Sequence, residues 1–193
     1  MTECLDLALK GVKLITVKEF VDDRGQFKQL YSESDFSEVG IFDRFVQDNQ
    51  SFSINAGTLR GLHAQAPPYA QAKLVQCTKG RIFDVVVDAR ADSNQFGKWC
   101  GVELSQENAE LLYVPEGFLH GFVTLVDGAE VTYKVSAPYK PQSEVTVLYN
   151  DGSLNIDWPA IPHLENFILS EKDAQGAPFS LVASKIDPDP KRK

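Results

Sequence analysis

A chain of 193 residues, 43% hydrophobic and 24% charged, is long enough to bury one substantial core and has the composition of a globular protein. No apolar run approaches the ~20 residues of a membrane helix, and a net charge of −8 leaves no basic stripe to displace counterions from nucleic acid. Three cysteines, Cys4, Cys77 and Cys100, are odd in number and widely spaced, which suits neither a disulfide framework nor zinc, so free thiols are expected.

The N-terminal stretch MTECLDLALKGVKLI carries Glu3 and Asp6 and too short an apolar segment for a signal peptide, so a cytoplasmic location is expected. β-rich runs follow at KLITVKEF (13–20), FKQLYS (27–32) and IFDRFVQDN (41–49), with a brief helical signal in SESDFSEVG (32–40). The segment TLRGLHAQAPPYAQAKL (58–74) then leads through AKLVQCTKG (72–80) into RIFDVVVDAR (81–90), the clearest strand in the chain. Further strands are predicted at WCGVELS (99–105), AELLYVPEG (109–117), HGFVTLV (120–126), AEVTYKVSAPY (129–139) and VTVLYND (145–151). Many short strands parted by Gly, Pro, Asn and Asp predict an all-β sandwich or barrel. A second helical signal, SEKDAQG (170–176), has Ser170 and Asp173 at capping-box spacing. SKIDPDPKRK (184–193) reads as a disordered tail, which leaves one domain over residues 1–183.

Alternation predicts one core-facing side for each of two strands: Phe83, Val85 and Val87 against Asp84, Val86 and Asp88, and Val131, Tyr133 and Val135 against Thr132 and Lys134. Tyr133 then turns inward, as a core tyrosine or a site residue. Lys73 shares a face with Val75 and Cys77 and either reaches solvent from a strand end or enters an apolar interior. Arg60 and His63 would point to opposite faces of a regular strand, but Gly61 between them predicts a bulge that brings both to one side.

VPEGFLHGF (114–122) delivers His120 from a tight turn into a strand and resembles the second sequence motif of the cupins, small jelly-roll barrels. GLHAQ matches the first motif, with Gln65 where metal-binding members have a second histidine. One imidazole with a lysine downstream makes a poor divalent-metal site, so neither metal nor cofactor is expected. A pocket holding His, Lys, Arg and Tyr suits proton transfer beside a carbonyl: a base removes the acidic proton, a cation stabilises the enolate and an acid returns the proton.

The motifs DDRGQF (22–27), QDNQS (47–51), TLRGLHAQ, AKLVQCTKGRIFDVVVDAR, FGKWCGVELS, LYVPEGFLHGF, YKVSAPY, NIDWP and LSEKDA (169–174) together resemble the dTDP-4-dehydrorhamnose 3,5-epimerase family over nearly the whole chain, in its order and spacing. The resemblance implies a cupin-type double-stranded β-helix and a cofactor-independent epimerase acting on a dTDP-4-keto sugar. It implies a His63 base oriented by Asp173, enolate stabilisation by Lys73 and a Tyr133 acid on the opposite face of the sugar. It further implies substrate contacts from Arg24, Phe27, Gln29, Gln47, Asn49, Arg60, His120, Glu144 and Lys172, with Tyr139 stacked on thymine. A homodimer with exchanged N-terminal strands is implied as well, placing Arg24 and Phe27–Gln29 in the partner's site. Asp173 at a helix start can cap the helix and contact the imidazole together. Gln29 where the family usually has Glu, Ala64 in place of an aromatic and SEVTVLYND (143–151) depart from the family pattern. An epimerase of a single carbon and a sugar-nucleotide-binding cupin without catalysis are the alternatives, and the second would not need His63, Lys73, Tyr133 and Asp173 together.

Overall fold

The computed structural model describes residues 3–186. In chain order the first strands are β1 (Glu3–Asp6), β2 (Lys13–Thr16), β3 (Glu19–Asp22) and β4 (Gly25–Lys28), followed by the short helix α1 (Glu33–Glu38). Then come β5 (Gln47–Ser53), β6 (Leu59–Gln65), β7 (Lys73–Lys79), β8 (Arg81–Asp88) and β9 (Trp99–Ser105). β10 (Glu110–Val114), β11 (Phe118–Thr124), β12 (Ala129–Val135) and β13 (Glu144–Thr146) complete the strands, and α2 (Glu171–Ala174) and α3 (Phe179–Val182) close the described chain.

The strands form a six-stranded sheet in the order β1-β2-β10-β7-β12-β5 and a five-stranded sheet in the order β13-β6-β11-β8-β9, with every pairing antiparallel. Val75, Cys77, Leu112 and Val131 of the first sheet pack on Ile82, Val86, Leu104 and Phe122 of the second, so the inner faces share one apolar core. This is the all-β sandwich architecture that the strand pattern predicts. β3 and β4 pair only with each other, as a separate hairpin.

Two expectations about burial are corrected. β8 has no solvent side: Ile82 and Val86 enter the core between the sheets, while Val85 and Val87 pack into a second cluster on the outer face. That outer face is covered by Phe179, Val182, Ala183 and Ile186, while Asp84 and Asp88 share the inner face with Ile82 and Val86 and are buried there, although the alternation assigned them to water. The predicted tail begins too early, because Ala183–Lys185 form a 3₁₀ turn and Ile186 is fully buried in the second cluster. Its polar composition concealed one apolar anchor; residues 187–193 lie outside the described part.

Strand limits shift where a tight turn or a hairpin outweighs β propensity. The predicted run 13–20 is split between β2 and β3, 41–49 gives way to β5 at 47–53, and 145–151 shortens to β13. Both helical signals form short helices: Ser170 accepts from the Asp173 amide as its spacing predicted, and Ser32 likewise accepts from the Asp35 amide, a cap not foreseen. α1 then buries Phe36 against Ile15, Leu74 and Leu111 on the outer face of the six-stranded sheet.

Candidate active site

A cavity of about 580 Å³ lies between the sheets, lined by residues of β5, β7 and β12 on one side and of β6, β11 and β13 on the other. Gln47, Asn49 and Ser51 reach it together because alternate residues of β5 share a face. On β6 the odd spacing of Arg60 and His63 is corrected by a bulge. His63 stands opposite His120 and Arg60 opposite Phe122, so three steps on β6 match two on β11. Gly61 sits in the bulge at φ 131°, where a β-carbon would lie 2.6 Å from the Gly121 Cα. Arg60 and His63 therefore both line the cavity, as the position of Gly61 predicted.

His63 Nε2 lies 2.5 Å from Asp173 Oδ1, and Asp173 is almost wholly buried. Burial pushes the Asp173 carboxyl up, but its hydrogen bonds to His63 and Ser170 and the nearby charges prevail and hold it below the usual carboxylate range. Asp173 thus both occupies the first turn of α2, where its amide is capped by Ser170, and pairs with the imidazole. The two readings of this residue hold together.

Lys73 is buried, and its Nζ makes one long hydrogen bond, 3.4 Å, to the His63 carbonyl. Burial drives its ammonium down to about 8, against the pull of Asp84 and Glu144. Tyr133 enters from β12, directly across from Asn49, so its phenol and the His63 imidazole come from facing sheets. Burial raises the Tyr133 phenol above its ordinary value, which keeps it protonated at neutral pH. His120 Nε2 lies 2.9 Å from Asp84 Oδ1, and burial lowers its pKa despite that carboxylate.

Tyr139, half exposed, is fastened on two sides: its amide donates to Gln47 Oε1 at 3.1 Å and its hydroxyl to Glu144 Oε2 at 3.0 Å. Lys172 donates to the other Glu144 oxygen at 2.7 Å. Burial alone would lower Lys172, but Glu144 raises it, so the ammonium stays charged at the cavity. Gln65 donates to the carbonyls of Tyr69 and Pro138 and accepts from the Lys140 amide. Where a metal-binding cupin has a ligand histidine, this amide clasps the loop that carries Tyr139. No group of three or more His, Cys, Asp or Glu converges among the described residues.

The structure does not bring Arg24, Phe27 or Gln29 to this cavity. Arg24 and Phe27 sit on the exposed β3–β4 hairpin, with Arg24 paired to Asp22 at 2.6 Å, and Gln29 follows it, 3.4 Å from Asp35. Conversely, sequence reasoning assigned no site to Ser51, Gln71, Phe122 or Ser170, all of which line the cavity. The β5 alternation was legible for Ser51, since Asn49 and Gln47 precede it by two and four; Gln71 gave no signal, being placed by a loop.

An imidazole bonded to a buried carboxylate, a protonated phenol on the facing sheet and a buried ammonium between charged neighbours are groups able to move protons on and off carbon beside a carbonyl. Comparison with known proteins points the same way. Residues 6–180 match the family model described as dTDP-4-dehydrorhamnose 3,5-epimerase. The Shigella flexneri protein of that name is 48% identical over 172 residues, 89% of this chain and 92% of its own. A Bacillus anthracis structure of a dTDP-4-dehydrorhamnose 3,5-epimerase with TDP and PPi bound has a TM-score of 0.88 and 42% identity, covering 92% of this chain and 99% of that one. A Legionella pneumophila dTDP-6-deoxy-D-glucose-3,5-epimerase in complex with dTDP-4-keto-L-rhamnose has a TM-score of 0.90 and 40% identity, covering 96% of this chain and 97% of that one. The shared fold is the cupin-type jelly roll.

Proposed function

The chain belongs to the dTDP-4-dehydrorhamnose 3,5-epimerase family, and we propose that it inverts C3 and C5 of dTDP-4-dehydro-6-deoxy-D-glucose, giving dTDP-4-dehydro-L-rhamnose without a cofactor. The observation that carries the reading is the placement of His63 and Tyr133 on facing sheets around one cavity, with Lys73 in it.

The 4-keto group acidifies the protons on C3 and C5. His63 removes one of them, and the Asp173 carboxylate stabilises the imidazolium that forms. The electrons move to the keto oxygen, where the buried Lys73 ammonium offsets the negative charge. Tyr133 then gives its proton to the carbon from the opposite face, which inverts the centre. Each inversion leaves an imidazolium and a phenolate, so both groups must exchange protons with solvent before the next.

Arg60 and Lys172 supply the positive charge for the diphosphate, which answers how a chain of net charge −8 holds an anion: cations converging on one locus outweigh a diffuse charge. Tyr139, anchored through its amide and hydroxyl by Gln47 and Glu144, stacks on thymine, and His120 and Asn49 contact the sugar. Arg24, Phe27 and Gln29 act on the site of a second copy. A two-stranded hairpin is marginal by itself, and this one exposes Phe20, Val21 and Phe27, which fits a homodimer in which the hairpin packs on the partner. Three free thiols fit a reducing, cytoplasmic setting.

The test is incubation of the 4-keto sugar nucleotide with the protein in deuterated water, following label at C3 and C5 by NMR. Label at both carbons is expected. Label at one assigns the chain to single-carbon epimerisation, and label at neither overturns the proposal.

A further inference from the structure

Asp84 has no part in the reaction set out above. It lies on β8, fully buried, on the same face as Ile82 and Val86 of the core between the sheets. A carboxylate among such side chains is costly to desolvate unless it is paired, so its partners indicate its use. His120 Nε2 lies 2.9 Å from Oδ1 and 3.0 Å from Oδ2, and Oδ1 has no hydrogen bond of its own among the described residues.

The other groups around Lys73 are accounted for. Arg60 and His63 face it from β6, His120 from β11, Tyr133 from β12, Glu144 from β13, and Lys172 and Asp173 from α2. Of the anions, Glu144 is occupied by Lys172 and Tyr139, and Asp173 by His63. Among the charges acting on Lys73, that of Asp84 is the largest, and Asp84 Oδ1 is buried without a hydrogen bond of its own among the described residues.

Building on the enolate chemistry proposed above, we infer that Asp84 is a positioning residue for it: from behind the cavity wall its carboxylate fixes the His120 ring through Nε2–H and holds Lys73 in the ammonium form that an enolate oxygen requires. Asp84 never touches substrate. It acts through the two side chains that do.

Asp84→Asn tests this, because the amide keeps the shape and an acceptor for His120 while removing the charge. The alkaline limb of kcat against pH then moves at least about one unit toward acid, since Lys73 loses its proton sooner. With a wild-type value of about 8, that shift costs about fivefold at pH 8 and little at pH 6, with KM changed less than about twofold. A limb that stays in place, even with kcat lower at every pH, overturns the inference and leaves Asp84 a structural residue. If the variant does not fold, the Lys73 Cε resonance of lysine-labelled wild-type protein decides: a charged Lys73 at pH 7 is expected, and a neutral one overturns it. A wild-type protein that labels neither carbon defeats the proposed function, and the resonance remains the test for Asp84. An active wild type with an unmoved limb in the variant defeats Asp84 alone.

Discussion

The cavity wall and the β3–β4 hairpin hold residues expected in one site, yet the fold treats them oppositely. On β6 and β11 the side chains are fixed from several directions: His63 by Asp173, His120 by Asp84, and the two backbones by the close approach of Gly61 and Gly121. On the hairpin Arg24 is exposed, its carboxylate partner lies two residues away on the same turn, and Phe20 and Phe27 face water. A surface ion pair of that kind contributes little to stability. The difference is that His63, Lys73, Tyr133 and Asp173 meet at one cavity of a single chain, whereas the hairpin residues reach no cavity that those four line.

The sharpest way to break that comparison is His63→Ala. It removes the base without touching the hairpin, and label exchange in deuterated water falls by at least about 10³-fold while the circular dichroism spectrum is unchanged. Residual exchange within tenfold of wild type moves the base elsewhere.

Arg24→Ala probes the other region. Losing one charge-assisted contact to the substrate lowers kcat/KM about ten- to a hundredfold, through KM. Mixing this variant with His63→Ala under conditions that exchange subunits then restores activity, because a hybrid dimer contains one site with a native His63 and a native Arg24 from the other chain. If the hairpin serves its own chain, no hybrid site is complete and mixing restores nothing.

An effect of opposite sign concerns stability. The fold lowers the Lys73 ammonium from its ordinary value to about 8, so the folded state disfavours the charged form. That cost is fully present below pH 8 and is relieved as pH rises toward 10.5, since the unfolded chain holds the extra proton in this window. Lys73→Met should therefore unfold at higher temperature than wild type at pH 7, by about 3 kcal/mol of stability, while losing activity. A lower unfolding temperature would show that Lys73 pays for its own burial through its neighbours.

Much of this was readable from the chain because the signals were local. The bulge at Gly61 followed from an odd spacing between two polar residues with a glycine between them, and the Ser170 cap from the spacing to Asp173. Tyr133 was placed inward by its apolar neighbours two residues away, whereas for Lys73 the same signal left solvent and interior both open, and the fold takes it inside. Asp84 was not readable: alternation measures one strand against solvent, and β8 has none, because the C-terminal segment ending in Ile186 covers its outer face. The same coverage hid the buried position of Ile186. Arg24 was named only through resemblance, since nothing within one chain directs a hairpin to a cavity it does not line.

The central claim is that the proton leaves toward one sheet and returns from the other. Tyr133→Phe tests it most directly: the substrate is incubated in deuterated water, and loss of the original hydrogen is scored separately from formation of the inverted sugar. Removal by His63 should continue while inversion falls by at least about a hundredfold. Equal loss of both would contradict a division of labour between the two walls.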